Sequence, residues 1–211
     1  MKILIVDAHP VIHHGLRTIL EEKFPGSTFG GACHGQEAVD LMNQGGWDLA
    51  ILDAVLPGRG GLDLLKQIRT YHPNLPVIMF SVRLEEEYAL RAFKAGASGY
   101  VTKESTPQQL AEAIRKVIGG GKYVSPKLAE HLVTALDRDL REMPHKILSD
   151  REFEVLCMIA AGKTTTAIAD LLSLSVKTVS TYRTRILEKL GLKTAPELVR
   201  YAIDNNLDLQ Q

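Results

Sequence analysis

Four polar side chains end or follow short apolar runs in the first half of the chain. Asp7, Asp53 and Ser81 come at the ends of three such runs, and Lys103 follows a fourth. A carboxylate can attack phosphorus to form an aspartyl phosphate, and carboxylate and carbonyl oxygens are ligands that Mg²⁺ prefers. A lysine and a hydroxyl can then hold the remaining phosphate oxygens. If the runs are strands of one sheet, these residues predict a phosphoryl-accepting site.

The apolar runs have the pattern of buried parallel strands. Their hydrophobic residues are nearly continuous, as expected where helices cover both faces of a sheet. Amphipathic segments separate them, and Thr106-Pro107-Gln108-Gln109 is a strong helix start. The predicted strands are 2–6, 48–52, 76–80 and 99–102, with a weaker strand at 27–32. Five strands alternating with five helices indicate a doubly wound α/β domain, whose ligands bind beyond the carboxyl ends of the strands.

Composition limits the class of protein. The chain has 211 residues, 45% hydrophobic and 24% charged, values ordinary for a globular protein and sufficient for two modest domains. No apolar run approaches the roughly 20 residues needed to cross a bilayer, and Asp7 comes too early for a secretory signal. We therefore expect a cytoplasmic protein with no membrane partner. Because 25 basic residues balance 25 acidic ones, net charge indicates no partner.

The second half of the chain follows a different pattern. A helix predicted over 125–136 and a polar stretch ending at Pro144 form a linker, assigned to 121–146. Four short helices follow and predict a small all-α domain over 147–211, so the first domain is assigned to 1–120. Two of these helices, 165–172 and 176–190, are joined by a turn of three residues, and the predicted apolar set of the first consists of Ile168, Ala169, Leu171 and Leu172. That spacing is typical of a helix-turn-helix, whose second helix enters the major groove of DNA.

Basic residues are concentrated on the second of these two helices and its exit. Between Lys177 and Lys193 there are five basic residues and one acid, whereas 147–211 as a whole is balanced at eight to eight. Such an excess is expected for contacts with the phosphates of double-stranded DNA; the alternative is a solvated surface helix. Residues 176, 179, 186, 187 and 190 are predicted to face inward. The outward side carries Lys177, Ser180, Thr181, Arg183, Thr184, Arg185 and Lys189.

Residues 1 to about 120 resemble the receiver domains of two-component response regulators. The resemblance rests on Ile5-Val6-Asp7, on Leu52-Asp53 with Pro57-Gly58, on Ser81 and on Gly99-Tyr100-Val101-Thr102-Lys103. It implies a flavodoxin-like (βα)₅ fold with a parallel five-stranded sheet, and phosphorylation of Asp53 by a sensor histidine kinase. It also implies Mg²⁺ bound by Asp7, Asp53 and the Val55 carbonyl, phosphate contacts from Ser81 and Lys103, and a rotamer switch at Tyr100.

One position departs from this family pattern. The family usually has two adjacent acids at the end of the first strand, and here the second is Ala8, whose methyl group cannot bind a metal. We expect weaker Mg²⁺ binding, with an additional water completing the coordination. His9, His13 and His14 have no further ligand at a matching spacing, so no metal role is expected for them.

Two other functions remain open at this point. Ala8 favours a DNA-binding regulator that works without phosphorylation. A phosphatase or phosphotransferase with Asp53 as its nucleophile is a second alternative, but Val55 stands where an acid partner is needed. Since an enzyme of this kind would also leave the second domain unexplained, we expect the protein not to be an enzyme.

Residues 147 to about 207 are similar to the LuxR-type helix-turn-helix of NarL/FixJ regulators. The matching motifs are Leu148-Ser149-Asp150-Arg151-Glu152, Val155-Leu156, Ala160-Ala161-Gly162, Ile168-Ala169, Lys177-Thr178-Val179 and Lys189-Leu190-Gly191. The resemblance implies base contacts from Ser180, Thr181 and Thr184, and phosphate contacts from Lys177, Arg183, Arg185 and Lys189. It implies a transcriptional regulator in which phosphorylation shifts the packing of the domains and promotes DNA binding as a homodimer.

Overall fold

Five parallel strands form one sheet in the part of the chain that the structure describes. They are β1 (Lys2–Val6), β2 (Thr28–Ala32), β3 (Leu49–Asp53), β4 (Val77–Ser81) and β5 (Gly99–Thr102), in the order β2-β1-β3-β4-β5. The register places Val6 beside Leu52, and Ser81 beside Thr102. The ends of β1, β3, β4 and β5 therefore meet at one edge of the sheet.

Helices alternate with these strands along the chain. They are α1 (Pro10–Lys23), α2 (Gly35–Asn43), α3 (Gly61–Tyr71), α4 (Glu86–Lys94) and α5 (Pro107–Ile118). Every residue of β3 and β4 is buried, which explains why their apolar sequences do not alternate with polar residues. On one face of the sheet, Ile5, Ile51 and Ile78 pack with Leu110 and Ile114 of α5. The Thr106 cap predicted from the sequence is present, because Gln109 N–H donates to Thr106 Oγ1.

A computed structural model provides these coordinates, and it describes residues 1–58, 60–82, 86–125, 128–130, 144–205 and 207. The chain divides into two compact units, Met1–Val133 and Thr134–Gln211. The helix predicted over 125–136 falls mostly outside the described residues, so that prediction stays untested. Within the described part, no helix is both long enough and apolar enough to cross a bilayer.

The second unit is helical in its described residues. After a short 3₁₀ turn at Pro144–Ile147 come α6 (Asp150–Ala160), α7 (Thr165–Leu172), α8 (Val176–Leu190) and α9 (Ala195–Asp204). A side-chain oxygen accepts a backbone N–H at the start of each helix; these caps are Ser149, Thr164, Ser175 and Thr194. Caps of this type satisfy N–H groups that have no partner within the helix. The fold class predicted from the sequence is confirmed in both units.

Two details of the predicted packing are wrong. Val176 was expected to face inward, but it is 45% exposed because it begins α8. Leu171, expected in the apolar set of α7, is 44% exposed. The buried stripe of α7 runs through Ile168, Ala169 and Leu172, and a residue one position from Leu172 is rotated by about 100° out of that stripe.

Candidate functional site

An ion-paired cluster occupies the carboxyl edge of the sheet. Asp7 follows β1 and Asp53 ends the neighbouring strand β3, so their carboxylates lie close together. Both residues are almost fully buried, at 2% and 4% exposure. Lys103, directly after β5, contacts Asp7 Oδ2 through Nζ and lies 2.9 Å from Asp53 Oδ2. The sequence prediction that these three side chains converge is therefore correct in geometry.

The charges in this cluster do not balance, since two carboxylates face one ammonium group. Burial raises the pKa of Asp53 above its ordinary value, and the negative charge of Asp7 adds to that effect. The positive charge of Lys103 and its hydrogen bond oppose this rise in the pKa without cancelling it. A group that adds positive charge at this edge would therefore be attracted to it.

Histidines complete the surroundings of Asp7. The backbone N–H of His9 donates to Asp7 Oδ1 at 2.9 Å, and His9 Nδ1 lies 2.9 Å from the same oxygen. His13 Nε2 lies 2.7 Å from the Asp7 carbonyl oxygen. The ligand atoms of Asp7, His9 and Asp53 all lie within 4.8 Å of one another, a spacing that fits a divalent cation. Ala8 contributes no side-chain ligand.

Ser81 lies at this edge, and Tyr100 lies within β5, two residues before the end of that strand. Ser81 ends β4 and is fully buried, and its carbonyl accepts a 2.7 Å hydrogen bond from Lys103 N–H. Tyr100 is buried at 1% exposure within β5. A backbone hydrogen bond thus connects the residue after β5 to the last residue of β4.

The loop after β3 is held from two sides. The Ala54 carbonyl accepts hydrogen bonds from Gly61 N–H at 3.0 Å and from the Tyr88 hydroxyl at 2.9 Å. A Cβ atom added at Gly61 would lie 2.2 Å from the Asp53 carbonyl oxygen, far inside van der Waals contact. The close approach of α3 to the end of β3 therefore requires glycine at this position, and it fixes the backbone of Asp53.

Helix α8 presents the polar face predicted from the sequence. Val179 and Ile186 are buried, whereas Lys177, Thr181, Thr184, Arg185 and Lys189 are exposed, and Ser180 and Arg183 are half-buried. Two of the exposed hydroxyls bond to their own helix: Thr181 Oγ1 donates to the Lys177 carbonyl, and Thr184 Oγ1 to the Ser180 carbonyl. As long as these bonds persist, both hydroxyl groups can act toward another molecule only as hydrogen-bond acceptors.

The turn between α7 and α8 has a defined backbone. Among the described residues other than glycine, Ser173 alone has a positive φ, at 51°. Leu174 N–H donates to the Ala169 carbonyl, and Ser175 then caps α8 by accepting from Thr178 N–H. This pair of hydrogen bonds ends one helix and begins the next within three residues, as a helix-turn-helix requires.

Comparison with known proteins assigns a family to both halves of the chain. The model of the response regulator receiver domain matches residues 3–115, and that of the luxR family of bacterial regulatory proteins matches residues 146–202. Response regulator UvrY of Escherichia coli K12 is 32% identical over 98% of this chain and 95% of its own length. Oxygen regulatory protein NreC of Staphylococcus carnosus is 36% identical over 98% of this chain and 99% of its own length. This chain is a LuxR-family response regulator.

Solved structures agree with this assignment. A two-component response regulator of the LuxR family from Aurantimonas sp. SI85-9A1 is 34% identical, covers 64% of this chain and 96% of its own, and superposes with a TM-score of 0.60. RcsB from Salmonella enterica serovar Typhimurium, bound to a promoter with the phosphomimetic BeF₃⁻, is 26% identical over 95% of this chain and 97% of its own, with a TM-score of 0.61. The response regulator described here is thus a two-component transcription regulator with a DNA-binding LuxR domain.

Two side-chain contacts in this response regulator were not predicted from the sequence. His9 was given no role, yet it borders the acidic cluster. Glu152, which ends one of the matched family motifs, was not predicted to be the partner of Lys189, whose Nζ lies 2.6 Å from Glu152 Oε2. The Asp-x-His spacing after β1 could have suggested the first contact. For the second, the sequence holds no signal, because the two residues are 37 positions apart.

Proposed function

We propose that Asp53 of this response regulator accepts a phosphoryl group from a sensor histidine kinase, and that its phosphorylation promotes DNA binding as a homodimer. The observation that supports this most is the buried pair of Asp7 and Asp53 with Lys103 between them. We assign the receiver domain to 1–120, the helical linker to 121–146 and the DNA-binding domain to 147–211. A protein that binds the bacterial chromosome shares its compartment, which supports a cytoplasmic location.

The proposed reaction needs only groups already at the carboxyl edge and a metal. A carboxylate oxygen of Asp53 attacks phosphorus, the bond from phosphorus to the kinase's histidine nitrogen breaks, and an acyl phosphate forms. Lys103 and Ser81 hold the phosphate oxygens. Asp7, Asp53 and the Val55 carbonyl would hold Mg²⁺, which when bound would neutralise charge on the phosphoryl group. The excess negative charge of the two buried carboxylates fits such a dication.

The proposed switch uses Ser81 and Tyr100. A phosphate on Asp53 attracts the Ser81 hydroxyl, and the space left at the edge admits the Tyr100 ring. The hydrogen bond from Lys103 N–H to the Ser81 carbonyl couples β4 to β5 during this change. The result is a shift between two packings of the receiver, one of which favours the dimer.

For DNA recognition we propose that α8 enters the major groove. Ser180, Thr181 and Thr184 contact bases, while Lys177, Arg183, Arg185 and Lys189 contact phosphates. RcsB supports the dimeric form, since two RcsB dimers have been seen on two parallel DNAs; that protein is 25% identical, with a TM-score of 0.60. Because hydroxyl side chains pair with several bases, we expect DNA shape to contribute to specificity.

Ala8 favours one alternative, a regulator that binds DNA without phosphorylation. In that case the Lys103 pairs with Asp7 and Asp53 would be a permanent structural element. An experiment decides between them: the purified protein is incubated with a small phosphodonor and Mg²⁺ and weighed intact, with Asp53→Asn as the control. A gain of one phosphoryl group, absent in the control, supports the proposed function. No gain, while a normal receiver reacts in parallel, supports the alternative.

DNA binding is tested separately by salt dependence. Arg183→Gln and Arg185→Gln should each weaken binding to any sequence and reduce the slope of log K against log salt concentration by about one. A slope that is unchanged in both variants would contradict the proposed placement of α8. The exposed Arg200→Gln on α9, outside the proposed surface, serves as the matched control.

A further inference from the structure

The acidic edge has a nitrogen close to where the family pattern has a second acid. Ala8 offers only a methyl group, but the next residue, His9, brings Nδ1 to 2.9 Å from Asp7 Oδ1. Asp7, His9 and Asp53 form the group of three potential metal ligands found among the described residues, each within 4.8 Å of the others. The potential side-chain ligands at this edge are therefore two carboxylates and an imidazole.

We propose that His9 Nδ1 is a ligand of the divalent metal at this site, and that the site consequently prefers a transition-metal dication such as Mn²⁺ to Mg²⁺. The inference rests on the metal-binding part of the proposed function and adds to it the identity of one ligand and of the preferred metal. It assigns His9 a role that neither its spacing nor the family resemblance indicated.

The separation of His9 from Asp7 fits octahedral coordination. Two neighbouring ligands of a metal at about 2.1 Å are about 3.0 Å apart, and the observed separation of His9 Nδ1 from Asp7 Oδ1 is 2.9 Å. Lys103 contacts the Oδ2 atoms of both aspartates. From the residues that the structure describes, the Oδ1 atom of Asp53 accepts one long hydrogen bond, 3.3 Å from Val55 N–H. A metal bound through the two Oδ1 atoms and Nδ1 therefore leaves both Lys103 ion pairs in place.

The backbone keeps His9 near the cluster. Its N–H donates to Asp7 Oδ1 at 2.9 Å, and Pro10 begins α1 directly after it. A residue before proline is restricted to extended conformations, and His9 has φ −104° and ψ 113°. The side chain of His9 is 68% exposed. Its backbone is nevertheless held two residues after Asp7, so the ring stays within reach of the cluster. To coordinate through Nδ1, the neutral ring carries its proton on Nε2.

The change of ligand accounts for the change of metal. An imidazole in place of a carboxylate removes one negative charge from the site, which weakens its attraction for any dication. Mg²⁺ prefers oxygen ligands and gains little from nitrogen, whereas imidazole suits first-row transition metals. The affinity for Mn²⁺ is therefore retained better than the affinity for Mg²⁺.

The test uses Mn²⁺ as a paramagnetic probe on the full-length protein. Pulsed electron spin resonance should show the ¹⁴N coupling of a directly bound imidazole in the wild type and in His14→Ala, a control at an exposed histidine of α1. The coupling should disappear in His9→Ala. Calorimetry should show that His9→Ala lowers the affinity for Mn²⁺ about tenfold or more, and that it lowers the affinity for Mg²⁺ by a smaller factor. Ala8→Asp should raise Mg²⁺ affinity and narrow the preference for Mn²⁺.

Each contrary outcome is distinct. Binding of Mn²⁺ without nitrogen coupling, together with an unchanged affinity in His9→Ala, overturns the inference and leaves the proposed phosphorylation of Asp53 intact. If the wild type binds neither metal, both the inference and the metal part of the proposed function are wrong. The mass measurement on phosphodonor-treated protein reports on phosphorylation independently of either result.

Discussion

Lys189 Nζ lies 2.6 Å from Glu152 Oε2, and this ion pair joins α8 to α6 within the DNA-binding domain. Glu152 is buried at 3% exposure, and its Oε2 also accepts hydrogen bonds from Ser149 N–H and Ser149 Oγ. Burial alone would raise the pKa of Glu152, but the hydrogen bonds from Lys189 and Ser149 outweigh it and lower the pKa. Lys189 therefore holds the proposed reading helix in place, in addition to any contact with DNA.

Replacing Lys189 by glutamine should destabilise the DNA-binding domain. The buried carboxylate of Glu152 loses its charged partner, and the half-exposed position of Lys189 limits the expected loss to about 1–2 kcal/mol in the free energy of unfolding. Urea denaturation monitored by hydrogen exchange in α6 and α8 measures it. Lys177→Gln, on the same helix but exposed, should change the stability by much less; equal effects in the two variants would show that the ion pair contributes nothing.

Acid should remove the contribution of Glu152. Because the pKa of Glu152 is lowered in the folded protein from its ordinary value of 4.5, its ionised form stabilises the fold above pH 4.5, and that contribution is lost as the pH falls through the folded pKa. The difference in unfolding free energy between wild type and Glu152→Gln should therefore be constant near neutral pH and shrink below pH 4.5. A difference that does not vary down to pH 3 would contradict this assignment.

Asp53→Asn should make the receiver domain more stable at pH 7. Burial and the charge of Asp7 raise the pKa of Asp53 above 3.8. Ionisation of Asp53 therefore destabilises the folded domain, and this loss of stability develops as the pH rises from 3.8 through the folded pKa. We expect a gain on the order of 1 kcal/mol, or about 4 °C in Tm. Calorimetry at pH 7 and pH 3.5 tests both parts, since the gain should disappear at the lower pH. A variant less stable than wild type at pH 7 would refute it.

Removing the Tyr88 hydroxyl should loosen α4 at small cost to the whole domain. Tyr88 is buried, and its hydroxyl donates to the Ala54 carbonyl, next to Asp53. Because Gly61 N–H still satisfies that carbonyl, Tyr88→Phe should cost only about 1 kcal/mol. Hydrogen exchange should become faster in 88–94, with little change in β1. Tyr71→Phe, at an exposed tyrosine of α3, is the matched control and should have no effect.

The secondary structure and the topology of this protein were predicted well from its sequence. The strands were placed to within one or two residues, and the bounds of α7 and α8 agree with the prediction, because uninterrupted apolar runs and helix caps are local signals. Asp7, Asp53 and Lys103 were brought together correctly because parallel strands have their carboxyl ends at one edge. The topology alone sufficed for that step.

Side-chain partners were predicted less well. The contacts of His9 with Asp7, of Tyr88 with Ala54 and of Lys189 with Glu152 depend on rotamers and on the distance between packed helices. Neither quantity has a local signature in the sequence. The exposure of Val176 was missed for a related reason: a periodic pattern does not show which end of a helix extends beyond the core.

Gly61 carries no functional group, yet the close packing described for it leaves no room for a side chain. Any side chain there would collide with the carbonyl oxygens of Asp53 and Ala54, which lie 2.2 and 2.8 Å from the position of a Cβ atom. In a library of random substitutions, position 61 should lose function with every replacement, including alanine. A survey that ranks positions by mutational sensitivity would thus rank Gly61, which has no reactive group, together with Asp53, the proposed phosphoryl acceptor, and the reason for that rank would be packing and not chemistry.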